Sequence, residues 1–159
     1  CLFLLVGLIE KHYGTTEIKA LGGLAAKMPL FATLFLLSSF ASIGVPLLNG
    51  FVGEFMILLG SAARSPLFTF LAALTLILSA GYMLNLIQRF LFGPLVLSQA
   101  PFQLKLTDGL AIAPLCVLMV LMGVYTAPFI AYISPAVQNT LTHYQAPLQV
   151  QAPVGGNHG

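Results

Sequence analysis

From Met28 to Ala63 the chain carries a single ionisable side chain, Glu54, in a run otherwise made of apolar and small residues. Two further apolar runs follow, roughly Pro66 to Phe92 and Gly109 to Ser134. Crossing the ~30 Å hydrocarbon layer of a bilayer takes about 20 apolar residues in a helix, because every backbone amide must find its partner inside the segment. Three full transmembrane helical segments are therefore predicted, at 29–63, 66–92 and 109–134, preceded by a helix stub, Cys1 to Ile9, too short to cross alone. Strands do not compete, since a barrel alternates polarity at every second residue and these runs are apolar on all sides. The fold class is an all-α membrane protein.

Composition closes off the soluble alternative. Water-soluble domains need about 25% charged residues to keep a hydrated surface; this chain has 6%, with 58% hydrophobic. Its net charge of +2 comes from scattered basic residues, so no nucleic-acid footprint is present. The opening Cys1-Leu2-Phe3-Leu4-Leu5-Val6 has no initiator Met, basic region or cleavage site, and reads as a helix cut in the middle rather than a signal peptide.

Polar connections separate the runs: Glu10 to Met28, a short turn at Arg64, Ser65 and Pro66, and Gly93 to Asp108. Residues 1–134 form the transmembrane domain. Residues 135–159, with three Pro, several Gln and a Gly-Gly-Asn-His-Gly ending, read as a poorly ordered tail. Lys11, Lys19 and Lys27 lie in the first connection, Lys105 in the third with Arg89 at its edge, and only Arg64 in the turn. Short loops rich in Lys and Arg stay on the cytoplasmic side, which places the turn and the C-terminus on the outer, periplasmic side of a bacterial inner membrane.

The first run, about 35 residues, is too long for one crossing and contains Gly44-Val45-Pro46-Leu47-Leu48-Asn49-Gly50. Proline removes a backbone donor and clashes with the preceding turn, and glycine tolerates the angles of a break, so Gly44, Pro46, Gly50 and Gly53 mark an interrupted helix. At membrane depth, unwound backbone persists only where it lines a cavity or packs on protein, as at the ion sites of transporters. Glu54 follows the break by four residues. It is about 15 Å along a helix from Arg64, too far to reach that interface. An isolated intramembrane carboxylate costs several kcal/mol, and burial favours its neutral form, so Glu54 is expected to be buried and to relay protons. The plainer readings are an interfacial Glu or a structural partner for a Lys on another helix.

Ser79, Tyr82, Asn85 and Arg89 recur every three or four residues and share one helix face, with Gln88 beside them. They are either a polar path next to Glu54 or interhelical glue, with Arg89 snorkelling. Tyr125 reads as packing, and Asp108 as the start signal of the last helix. His12, His143 and His158 are dispersed, and Cys1 and Cys116 lack ligand-spaced neighbours, so no metal site is expected and both cysteines read as packing residues. No phosphate loop, nucleophile elbow or cysteine cluster occurs, and the chain is expected to bind no cofactor.

The run Ala41-Ser42-Ile43-Gly44-Val45-Pro46-Leu47-Leu48-Asn49-Gly50-Phe51-Val52-Gly53-Glu54-Phe55 resembles the Gly-x-Pro…Gly-Phe-Val-Gly-Glu-Phe signature of the M-type (subunit 4) membrane subunits of proton-pumping NADH:quinone oxidoreductase, respiratory complex I, in the antiporter-like family. Leu21-Gly22-Gly23-Leu24, Met28-Pro29 and Tyr82…Arg89-Phe90-Leu91-Phe92-Gly93 are similar to the same subunits. The resemblance implies the C-terminal part of a fourteen-helix antiporter-like channel, with Glu54 at the key glutamate of its broken helix, on a lysine and glutamate proton path. It implies a non-redox subunit of the oxidoreductase, a translocase coupled to electron transport from NADH to a quinone. Its partners would be the other membrane-arm subunits, the lipid bilayer and protons. The competing functions are a subunit of a multisubunit sodium/proton antiporter or membrane-bound hydrogenase, and a structural membrane module without transport.

Overall fold

A computed structural model describes residues 1–94, 102 and 104–150, with side chains in the last helix as far as 141. The described residues are helical and contain no strand: α1 (Leu2–Tyr13), a 3-10 turn (Ile18–Ala20), α2 (Leu24–Lys27), α3 (Pro29–Ser42), α4 (Asn49–Ala62), α5 (Pro66–Leu91), α6 (Leu106–Val124) and α7 (Ala127–Val150). They divide into two units, Cys1–Val124 and Tyr125–Gly159.

In the first unit, α3 packs on α1, α2, α5 and α6, and α4 packs on α3, α5 and α6. The core is built from positions one helical turn apart: Leu5 and Ile9 of α1, Phe31 and Phe35 of α3, Met83, Ile87, Phe90 and Leu91 of α5, and Ile112 and Cys116 of α6. The Phe35 and Phe90 rings meet at 4.8 Å between centroids. All this burial lies toward the C-terminal end of α5, whereas α4 has no buried residue.

Two helices are long and apolar enough to cross a membrane, Pro66–Leu91 and Leu106–Val124, each with mean hydropathy 2.0. Only 6% and 11% of their most apolar windows are buried within the chain, so their apolar surface points outward, the reverse of a soluble core helix. The long first run is two half-helices: α3 and α4 have 14 residues each, about 21 Å apiece at 1.5 Å per residue and short of a full crossing.

The run expected as one crossing over 109–134 is interrupted. α6 starts at Leu106 and stops at Val124, and α7 starts at Ala127. Pro128, in the first turn of α7, has no backbone N–H with which to continue a helical hydrogen-bond ladder, and proline is well placed in a first turn, so a new helix begins there. α6 itself tolerates Pro114 in its interior. Asp108 does mark the start: its carboxylate accepts the Lys105 N–H at 3.2 Å, the return bond of a capping box.

In the second unit, the segment read as a poorly ordered tail from 135 is helical through Val150. From Ala136 to Ala146 no Pro or Gly interrupts it, and the Thr140 hydroxyl donates to the Ala136 carbonyl at 2.9 Å. The Gly-Gly-Asn-His-Gly ending lies outside the described residues.

Candidate functional site

The interruption between α3 and α4 is assembled from local bonds. The Ile43 N–H donates to the Ser39 carbonyl and the Val45 N–H to the Phe40 carbonyl, both at 3.1 Å. With Gly44 at φ 70°, the six-to-one bond and the left-handed residue make a Schellman closure of α3. Pro46 then prevents the helix from resuming. Leu47 also sits in the left-handed region, at φ 76°, a conformation that costs a side-chain-bearing residue of order 1–3 kcal/mol. After the Leu48 N–H closes on the Val45 carbonyl at 3.2 Å, α4 begins at Asn49. Gly50 and Gly53, read with the break, lie within the first turns of α4.

The break is held from both sides by close backbone approach. A Cβ at Gly50 would collide with the Ala41 carbonyl of α3, and one at Gly123 of α6 with the Leu47 carbonyl. Gly123 therefore lets a helix more than seventy residues away in sequence press directly on the strained turn.

Glu54 reaches back to this turn. Side chains on a helix tilt toward its N-terminus, and from position 54 that tilt carries the carboxylate over Gly44. A Cβ at 44 would collide with Glu54 Oε2 and lie 2.9 Å from the carboxyl carbon. The glycine is thus required twice, by its φ and by the carboxylate seated on it. A cavity of 250 Å³ adjoins Glu54, lined by Ile43, Phe51, Phe55 and Leu58 on one side and Leu76, Ile77 and Ala80 of α5 on the other. The Phe51 and Phe55 rings stack within it at 5.3 Å.

Two expectations for this carboxylate change. Glu54 is half-buried within this chain, not buried, because α4 is covered on one side only and its Met56, Ile57 and Leu59 are exposed. The polar stripe of α5 does not line its cavity. At about 100° per residue, Leu76, Ile77 and Ala80 lie on roughly the opposite face of α5 from Ser79, Tyr82, Asn85 and Arg89. Those residues cluster elsewhere: Tyr82, Asn85, Gln88 and Arg89 line a separate cavity of 880 Å³ with Glu17 and Lys19, and Ser79 makes a long 3.5 Å contact with the Tyr82 hydroxyl.

Among the described residues Glu54 makes no hydrogen bond or ion pair. No group of three or more His, Cys, Asp or Glu there could hold a metal ion. The cysteines, treated separately in the sequence, meet in space: Cys1 Sγ and Cys116 Sγ are 3.9 Å apart as free thiols, and the Ser38 hydroxyl donates to Cys1 Sγ at 3.0 Å. His12 is engaged within the fold: its Nδ1 donates to the Leu8 carbonyl at 2.9 Å and its ring stacks on Phe102 at 4.1 Å. The residues that sequence reasoning missed are Leu47, Gly123 and the α5 trio facing Glu54. Gly123 stands alone in an apolar run with no local sign of its distant partner.

Comparison with known proteins converges on one family. The family described as NADH:quinone oxidoreductase/Mrp antiporter, transmembrane, matches residues 1–80, which include the whole break and Glu54. NADH-quinone oxidoreductase subunit M of Rickettsia bellii is 37% identical over 146 residues, covering 91% of this chain and 30% of that protein. Subunit M of Rhodobacter capsulatus is 38% identical over 149 residues, covering 92% and 29%. In a solved structure of respiratory complex I from Thermus thermophilus with bound NADH, one chain matches with a TM-score of 0.71 and 36% identity, over 84% of this chain and 28% of that one. The chain spans about 30% of the length of the curated relatives it matches.

Proposed function

Because this chain belongs to the NADH:quinone oxidoreductase/Mrp antiporter transmembrane family, we propose that it is the part of a membrane subunit of NADH:quinone oxidoreductase in which Glu54 relays protons. The supporting observation is the seat of the carboxylate, packed on left-handed Gly44 where one half-helix ends and the next begins. The C-terminal end of α3 carries partial negative charge and the N-terminal end of α4 partial positive charge. A proton arriving at or leaving Glu54 changes the charge beside the point where these opposed ends meet. Broken helices of this kind form the ion sites of transporters. The apolar walls of the adjoining cavity keep the exchange confined to the carboxylate itself.

On this reading the chain performs no redox step. It works with other membrane-arm subunits of the complex, which couple quinone reduction to protonation at Glu54, and it sits in a bacterial inner membrane with the end of α5 that bears Arg89 on the cytoplasmic side.

The test is Glu54→Gln in the complete complex, in inverted membrane vesicles. Glutamine keeps the shape and loses the exchangeable proton. The expected result is an assembled complex that oxidises NADH with a lowered ratio of protons pumped to electrons transferred. A normal ratio in that variant refutes the relay.

A further inference from the structure

We propose that the cavity at the C-terminal end of α5 is a binding site for one glycerophospholipid, with Arg89 and Lys19 taking its phosphate. The cavity encloses 880 Å³, within the roughly 300–1,000 Å³ typical of small-molecule sites. Three charged side chains face it, Glu17 and Lys19 beside the 3-10 turn and Arg89 on α5, with Tyr82, Asn85 and Gln88 between them. Among the described residues none of the three charges is engaged in an ion pair. Two free cations and one free carboxylate around one cavity match a phosphodiester next to an ammonium group better than they match a simple anion.

The second observation is an apolar slot that continues this cavity. A space of 160 Å³ shares Thr16, Ile18 and Leu86 with it. Among the described residues its remaining walls are Val6, Ile9, Leu21, Phe35 and Phe90, all apolar. A charged mouth opening into a slot whose described walls are apolar apart from Thr16, at the junction of the two spaces, is the shape of an amphiphile: headgroup on Arg89 and Lys19, first methylenes of one chain between Ile18 and Phe90.

The third is depth. α5 has 26 residues, about 39 Å, which exceeds the ~30 Å hydrocarbon layer. Within α5, Pro66 and Arg89 stand 23 residues apart, about 35 Å along the helix axis, which carries Arg89 beyond the ~30 Å hydrocarbon layer and into the headgroup region. Arg89 is therefore at the level of lipid phosphates. Basic pockets between helices at that level bind phospholipid headgroups. The proposal requires α5 to span the membrane and is independent of the role of Glu54.

The test uses the complete complex in lipid nanodiscs containing phosphatidylethanolamine that carries a photoactivatable diazirine near the glycerol end of one acyl chain. After illumination, adducts are mapped by peptide mass spectrometry. The expected adducts fall on Ile18, Leu86 or Phe90, and Lys19→Gln with Arg89→Gln lowers their yield at least about tenfold, the effect of losing 1.4 kcal/mol or more of binding. Arg64→Gln at the other membrane face, and Glu54→Gln, leave the yield unchanged. Equal yield in the Lys19 and Arg89 double variant overturns the proposal in favour of unselective boundary lipid. Protection of these positions by millimolar inorganic phosphate overturns it in favour of a free-anion site. Absence of any adduct there, with labelling elsewhere on α5, overturns it by showing that protein fills the cavity.

Discussion

Gly44→Ala perturbs Glu54 without replacing it. The added Cβ collides with Glu54 Oε2 and lies 2.9 Å from the carboxyl carbon, so the carboxylate has to swing away from the break. The backbone at 44 adds to the cost, because φ 70° disfavours a residue with a Cβ by about 1–2 kcal/mol. Moving the glutamate off its preferred rotamer costs about 0.5–1.5 kcal/mol more. The total, about 1.5–3.5 kcal/mol, is a fraction of the roughly 5–15 kcal/mol that holds a domain together, so the variant should still assemble. Displacing a reacting group by ~1 Å can cost on the order of a hundredfold in rate. The expected outcome is proton transfer through the complete complex slowed at least about tenfold, read in inverted vesicles as a lowered ratio of protons moved to NADH oxidised. Gly53→Ala is the matched control. No atom lies within 4 Å of its new Cβ, and alanine is favoured over glycine in a helix by about 0.5–1 kcal/mol. A normal ratio in Gly44→Ala, or an equal loss in Gly53→Ala, refutes the claim that the contact with Gly44 positions the carboxylate.

Two other outcomes test the frame around the site. Gly123→Ala drives a Cβ into the Leu47 carbonyl, where only backbone can yield, and overpacking of this kind costs about 1–3 kcal/mol; the variant complex should dissociate at lower temperature on native gels, and unchanged thermal stability would mean that α6 does not press on the break. Mild oxidation with copper phenanthroline should join Cys1 to Cys116, whose sulfurs need to close from 3.9 Å to about 2.05 Å; the linked peptide should be found by mass spectrometry and be absent in Cys116→Ser, and failure to form it would place α6 elsewhere.

The sequence was most legible where a local signal and the hydrophobic pattern agreed. The run expected over 66–92 is α5, Pro66–Leu91, because Ser65-Pro66 supplies a start and Phe92-Gly93 a stop. α3 ends beside Gly44 and Pro46 for equally local reasons. At Pro128 the apolar count outweighed a breaker that the backbone obeys, and beyond 135 the prolines outweighed an uninterrupted stretch that is helical. What could not be read were long-range facts. Periodicity places Ser79, Tyr82, Asn85 and Arg89 on one face of α5 but carries no information about what that face meets. The pressure of Gly123 on Leu47 and the pairing of Cys1 with Cys116 join segments 76 and 115 residues apart, with no local trace of either contact.

That undetermined direction bears on how a proton could reach Glu54. α5 turns Leu76, Ile77 and Ala80 to the carboxylate and its polar stripe to the other side, so among the described residues Glu54 and the stripe open onto different cavities. The cavity next to Glu54 contains no other polar side chain among the described residues. Yet the carboxylate is only half-covered, and the uncovered half of α4 is where another surface would have to meet it. If Glu54 carries protons, its donor and acceptor are water or side chains approaching from that open side, so a partner introduced there by substitution, not one along α5, is the change that should alter the rate of transfer.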